Sequence, residues 1–166
     1  MSSTDLALLA LRGVIGGVFL AHGLNHILGG GRLRGTAGWF ASLGMRPGYV
    51  HAVVASAVEV ASGALLVFGL FTPVAGAGVV GTMVVAWVIN HAKNGFFIFR
   101  PGEGYEYVMV LAATGLCLAG TGPGRISLDR LIGIGQPGWT GLVIGLAGVV
   151  GAGLLLALCW RPEDAG

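Results

Sequence analysis

Residues 139–160 read WTGLVIGLAGVVGAGLLLALCW, a run with no charged residue between two tryptophans. A bilayer core of about 30 Å takes about 20 helical residues to cross, and amphipathic rings settle at the membrane–water boundary. This stretch therefore reads as a transmembrane helix. The composition agrees. Of 166 residues, 55% are hydrophobic and only 10% charged, against about 25% charged in an ordinary soluble domain. Too little polar surface remains to cover a globule in water, so the solvent is lipid. Glycine, present 32 times, is costly in a water-exposed helix but lets membrane helices approach closely.

Working outward from that run, four more stretches read as spans: Leu6–Leu28, Tyr49–Phe71, Pro73–Ala92 and the shorter Tyr105–Ala119. Pro73 suits a helix start, and Tyr49, Tyr105, Tyr107, Trp139 and Trp160 mark span ends. The first stretch is too long for a signal-peptide core. It has no positive flank in Met1–Asp5 and no small-x-small site after it, so it reads as a retained span. The expected fold is an all-α integral membrane protein. It has a single domain over 1–166, with a four-helix bundle over 6–131 and an added fifth helix over 137–161.

The connections differ in kind. Gly69–Pro73 is a tight turn, so the second and third spans form a hairpin. Within Gly29–Gly48, Thr36–Leu43 predicts a short interfacial or re-entrant helix capped by Thr36. Residues 121–136 read as an ordered loop or short surface helix around Ser127, Asp129 and Arg130. Arg32, Arg34, Arg46, Lys93, Arg100 and Arg161 fall on one side, and only Arg125 and Arg130 on the other. The positive-inside rule places the first side in the cytoplasm, giving N-out and C-in. The pairs Gly13/Gly17 and Gly141/Gly145 fit close helix packing.

Several function classes are excluded. A formal charge of +2 with no basic run argues against nucleic acid. No nucleophile elbow, phosphate loop or dinucleotide fingerprint is present. Cys117 and Cys159 are far apart, form no CxxC, and read as small buried hydrophobes.

Ionisable residues within spans are costly and therefore informative. At about 100° per residue, Arg12, Gly16, Phe19, Gly23 and His26 share one face of the first span, with His22 at its edge. Glu59 sits near the centre of the second span, about 15 Å in from Tyr49 at 1.5 Å per residue. From there it can reach toward His22 or Arg12. Topology gathers His22, His26, His91, Lys93, Glu103 and Glu106 at one mouth, with Glu59 beneath. Bland readings stand beside this: a structural Arg12–Glu59 ion pair, interface histidines at 22 and 26, and boundary charges at Lys93 and Glu106. A haem or metal on His26, His91 and Glu106 needs a convergence that spacing does not show, and none is expected. A lipid-soluble carrier fits better. Glu59, His22 and His91 are the candidate catalytic groups, and Arg12, His22, His26, Glu59, His91 and Glu106 the candidate quinone-binding ones.

Taken in order, Arg12-Gly13, His22-Gly23, Trp39-Phe40, Leu43-Gly44, Glu59, Gly69-Leu70-Phe71-Thr72-Pro73, His91 with Lys93, Gly95-Phe96-Phe97, Glu106-Tyr107 and Ser127-Leu128-Asp129 resemble the DoxX family of bacterial membrane proteins. The resemblance covers about residues 8–131 and implies a four-helix membrane bundle. It also implies a bacterial plasma-membrane location and a redox-linked role, as in the membrane subunit of thiosulfate:quinone oxidoreductase. The fifth span is a departure from that pattern. The leading expectation is a membrane subunit of a redox complex with other membrane or peripheral redox subunits as partners. A non-catalytic accessory subunit is the alternative, a small-solute transporter is a weaker third, and a homo-oligomer stays open.

Overall fold

The computed structural model describes residues 1–162, all helical apart from turns and one isolated antiparallel bridge between Met45 and Trp160. The helices are α1 (Ser3–Leu28), α2 (Arg32–Ser42), α3 (Gly48–Phe68), α4 (Thr72–Ala86), α5 (Glu106–Thr121), α6 (Leu128–Leu131) and α7 (Gly138–Cys159). A π turn over Trp87–His91 and a 3-10 turn over Ala92–Asn94 prolong α4. Four of these are long and apolar enough to cross a membrane: α1, α3, the continuous Thr72–Asn94, and α7. With 16 residues, α5 is shorter.

The α1–α3 pair sets the bundle. Gly16 and Gly63 face each other so closely that a Cβ on either would lie 2.7 Å from the opposing carbonyl oxygen. Gly23 stands equally close to Glu59 and Val60. Such small-residue seams let membrane helices meet by backbone packing. The α1 face of Arg12, Ile15, Gly16, Phe19 and Gly23 is buried. Of the two glycine pairs expected to pack closely, only Gly141/Gly145 does so. Gly13 and Gly17 point into open space, whereas Gly141 and Gly145 pack against Leu116 and Ala119 of α5.

The turn between α3 and α4 is fastened by buried polar groups. Gly69, in the left-handed region at φ 63, ends α3. Its N–H donates to Leu66 and that of Leu70 to Leu65, the paired reversal that satisfies carbonyls left over at a helix end. Arg12 extends this cap, donating to the carbonyls of Leu66 (3.1 Å) and Val67 (2.9 Å), and to that of Ile126. A cation is well placed at the negative end of a helix dipole. At the start of α4, the buried carboxylate of Asp129 accepts from the N–H groups of Phe71 (2.7 Å) and Thr72 (3.1 Å) and from the Thr72 hydroxyl (3.0 Å). The Asp129 N–H donates to Gly69. Asp5 accepts from Arg125 and joins α1 to the same loop.

At the opposite end, α7 clasps the α2–α3 turn. The Trp160 indole donates to Leu43, Arg46 N–H to Cys159, and Arg161 N–H to Gly44. Along its length α7 packs on α4 and α5. The helix expected at Thr36–Leu43 begins earlier, at Arg32, and Gly31 rather than Thr36 stands at its cap. The Thr36 hydroxyl instead donates to the carbonyls of His26 and Arg32. Cys117 is exposed and Cys159 half-buried, so neither is the buried hydrophobe expected.

Candidate functional site

A cavity of about 450 Å³ lies inside the bundle. Most of its wall is apolar. Its polar lining comes from His22 and His26 on α1, His51 and Glu59 on α3, Asn90 and His91 from the π turn, and Glu103 and Tyr107 beyond. π turns are frequent at functional sites because one extra residue in the turn re-aims its side chains.

Glu59 and His26 meet on its wall. His26 Nδ1 is 3.2 Å from Glu59 Oε2, and Glu59 is 6% exposed. The pair is close but not aligned for a hydrogen bond, and neither atom has another hydrogen-bond partner among the described residues. A buried polar atom without a partner costs on the order of 1–3 kcal/mol, and such atoms are rare enough in folded proteins that each calls for an explanation. Here both face a cavity.

His91 is differently disposed. Its Nδ1 lies 2.8 Å from the carbonyl of Glu103, which can only accept, so Nδ1 carries the proton. Nε2 then accepts from the Asn90 amide at 3.3 Å. His91 thus ties the π turn to the 95–105 loop at the mouth, with both ring nitrogens engaged. Asn94 bonds the same loop through the carbonyls of Gly102 and Glu103, and Trp87 stacks on Tyr105 at 5.2 Å.

The structure brings His22, His26, Glu59, His91 and Glu103 to one cavity. Arg12 is not among its lining residues: its partners are the carbonyls at the α3 end, not Glu59. Glu106 and Lys93 also lie off the lining. Among the described residues, no three His, Cys, Asp or Glu side chains cluster as metal ligands would. The expected contact also shifts. Span counting puts His22 nearer than His26 to the level of Glu59, yet His26 makes the contact, because it shares the inward face with Gly23, which stands against Glu59, while His22 lies exposed at the edge of that face.

His51 is a cavity residue that the sequence reading passed over. It is buried, and its Nε2–H donates to the Arg46 carbonyl at 3.3 Å. Its signal was available: helical steps from His51 lead through Ala55 and Val58 to Glu59, all on the lining. The α7 wall (Gly148, Gly151, Ala152, Leu155) was not foreseeable, because nothing in the sequence says which face of that helix turns inward.

Four membrane-length helices, with a mostly apolar cavity among them that carries a few polar groups, define a multi-pass α-helical membrane protein. The chain belongs to the DoxX family, whose model matches residues 7–92. A protein of Bacillus subtilis (strain 168) named "Putative oxidoreductase CatD" is 31% identical over 130 residues, covering 78% of this chain and 90% of that protein. No solved structure matches the chain. The matched family region ends at the first residue of the 3-10 turn after the π turn, so α5, α6 and α7 lie beyond it.

Proposed function

We propose that the protein is a membrane subunit of a redox-linked complex and that its cavity holds a quinone-type carrier. The observation that carries this reading is the unpartnered Glu59–His26 pair facing a mostly apolar cavity. A flat carbonyl-bearing head would give both groups a hydrogen-bond partner while its ring packs on Phe19, Met83 and Leu111. Reducing a quinone to a quinol consumes two electrons and two protons. Glu59 and His26 stand where protons would be delivered to a carbonyl oxygen, with His22 four residues from His26 on the same wall. The electrons would come from a redox centre on a partner subunit. In this reading His91 shapes the mouth, and Arg12 secures the bundle rather than tuning Glu59. The name borne by the Bacillus relative is consistent with a redox role.

The same reading takes α5 as a fifth pass and α2 as lying at the membrane interface. It places the chain in the bacterial plasma membrane, with the basic loops and C-terminus in the cytoplasm. A non-catalytic accessory role has one observation in its favour: the outward face of α7 carries exposed Val143, Leu146, Val150, Leu154 and Leu158, as a helix docking a larger membrane complex would.

Purification of the tagged protein from its own membrane in mild detergent, with mass spectrometry of co-purifying proteins and small molecules, tests the proposal. Redox subunits together with an isoprenoid quinone near one per chain is the expected result. A non-redox complex with no quinone would favour the accessory role, and recovery with phospholipid alone would overturn the redox reading.

A further inference from the structure

The cavity does not end at Glu59 and His26. It continues as a groove between α3 and α7, floored by α4. Val54 and Val58 line one wall, Gly151 and Leu155 the other, and Gly81 and Thr82 the floor. None of these six is ionisable. The floor is narrow because α7 approaches α4 as closely as backbones permit, Gly148 standing against Ala77 and Gly81. Three residues further along α7 the groove opens. Gly151 is exposed, and a Cβ built there meets no atom within 4 Å. Across from it, Val54 is 43% exposed. In a bilayer these open residues face acyl chains, so the groove leads sideways from lipid into the polar end of the cavity.

The shape divides the ligand. One end meets carboxylate and imidazole. The other is long, apolar and open at the side, which suits a linear flexible chain better than a second ring. We propose that the α3–α7 groove holds the isoprenoid tail of the carrier whose head lies at Glu59 and His26, and that the carrier enters laterally between these helices. This rests on the quinone reading above. It also gives α7, which lies beyond the matched family region, a task of its own: it supplies the second wall of the tail groove.

Gly151→Leu tests this, because Gly151 lines the groove and a Cβ there meets no packed atom. Gly153→Leu is the control: Gly153 is also exposed and open on the same helix but does not line the cavity. Each purified protein, in phosphatidylcholine nanodiscs, is titrated with 2-methyl-1,4-naphthoquinone and with the same head bearing a four-isoprene tail. Comparison between variants cancels the tail's own partitioning into lipid. Gly151→Leu should weaken binding of the tailed quinone about tenfold or more, the scale of losing burial of a few methylene groups. Binding of the tailless quinone should stay within about twofold, and Gly153→Leu should alter neither. Unchanged binding of the tailed quinone to Gly151→Leu would overturn the proposal, as would equal weakening of both quinones. Weakening by Gly153→Leu to the same degree would mean that the groove is ordinary lipid-facing surface filled by phospholipid chains. If the unaltered protein binds neither quinone, the functional reading itself fails, and this inference with it.

Discussion

Glu59→Gln is expected to lower quinol formation by the co-purified complex by about two to four orders of magnitude, the usual weight of a positioned proton-transfer group, while leaving the protein folded. Gln keeps the length and planarity of the side chain but cannot release a proton. Because Glu59 Oε2 already lacks a hydrogen-bond partner and the residue is buried, the substitution removes no bond that holds the bundle. Thermal stability in detergent should therefore be unchanged or raised, as is common where a strained functional group is neutralised. The comparison separates two roles. A structural carboxylate would lose stability on substitution and keep any activity the surviving fold supports. A working one would lose activity and keep stability.

The opposite pattern is expected at the far end of the bundle. Asp129→Ala should destabilise the protein by on the order of 3–5 kcal/mol, the range for breaking a buried, fully bonded charged group. Its carboxylate serves two backbone N–H groups at the start of α4 and the Thr72 hydroxyl, and alanine would leave those donors buried and unpaired. Arg12, which interacts electrostatically with Asp129, would lose its counter-charge as well. Asp129→Asn should recover part of the loss, since the amide oxygen still accepts. The measurement is the midpoint of thermal unfolding in detergent, read beside quinone binding. The binding constant of the surviving folded fraction should not move, because Asp129 does not line the cavity.

These contrasting expectations follow from a division that the sequence reveals only in part. Charge-free and weakly charged runs made the long helices legible, and the Gly69–Pro73 turn made the α3–α4 hairpin legible. Gly16 and Gly23 sharing a face with Arg12 foretold the inward side of α1. Pairing was harder. Arg12 and Glu59 are the obvious intramembrane opposites, yet Arg12 satisfies leftover helix-end carbonyls, an interaction written in backbone geometry rather than in residue types. His26 meets Glu59 because the Gly16–Gly63 and Gly23–Glu59 contacts set how α1 and α3 are registered and turned toward each other, which residue types alone do not state. The π turn at Trp87–His91 is hidden for a related reason: its sequence continues an ordinary apolar helix, and the surrounding stack of Trp87 on Tyr105 and the His91–Glu103 bond fix the extra residue. Aromatic and histidine positions were all visible as residues. Their convergence was not, because it needs the crossing angles of five helices.

The central claim is that a carrier head sits against Glu59 and His26. Photolabelling with an azido-naphthoquinone bearing an isoprenoid tail, in nanodiscs and mapped by peptide mass spectrometry, tests it most directly. The expected labels fall on residues 18–26 of α1 and 54–59 of α3, and are displaced by excess unlabelled quinone. Label confined to the lipid-facing residues Val143, Leu146 and Val150 of α7, and not displaced by excess quinone, would contradict it.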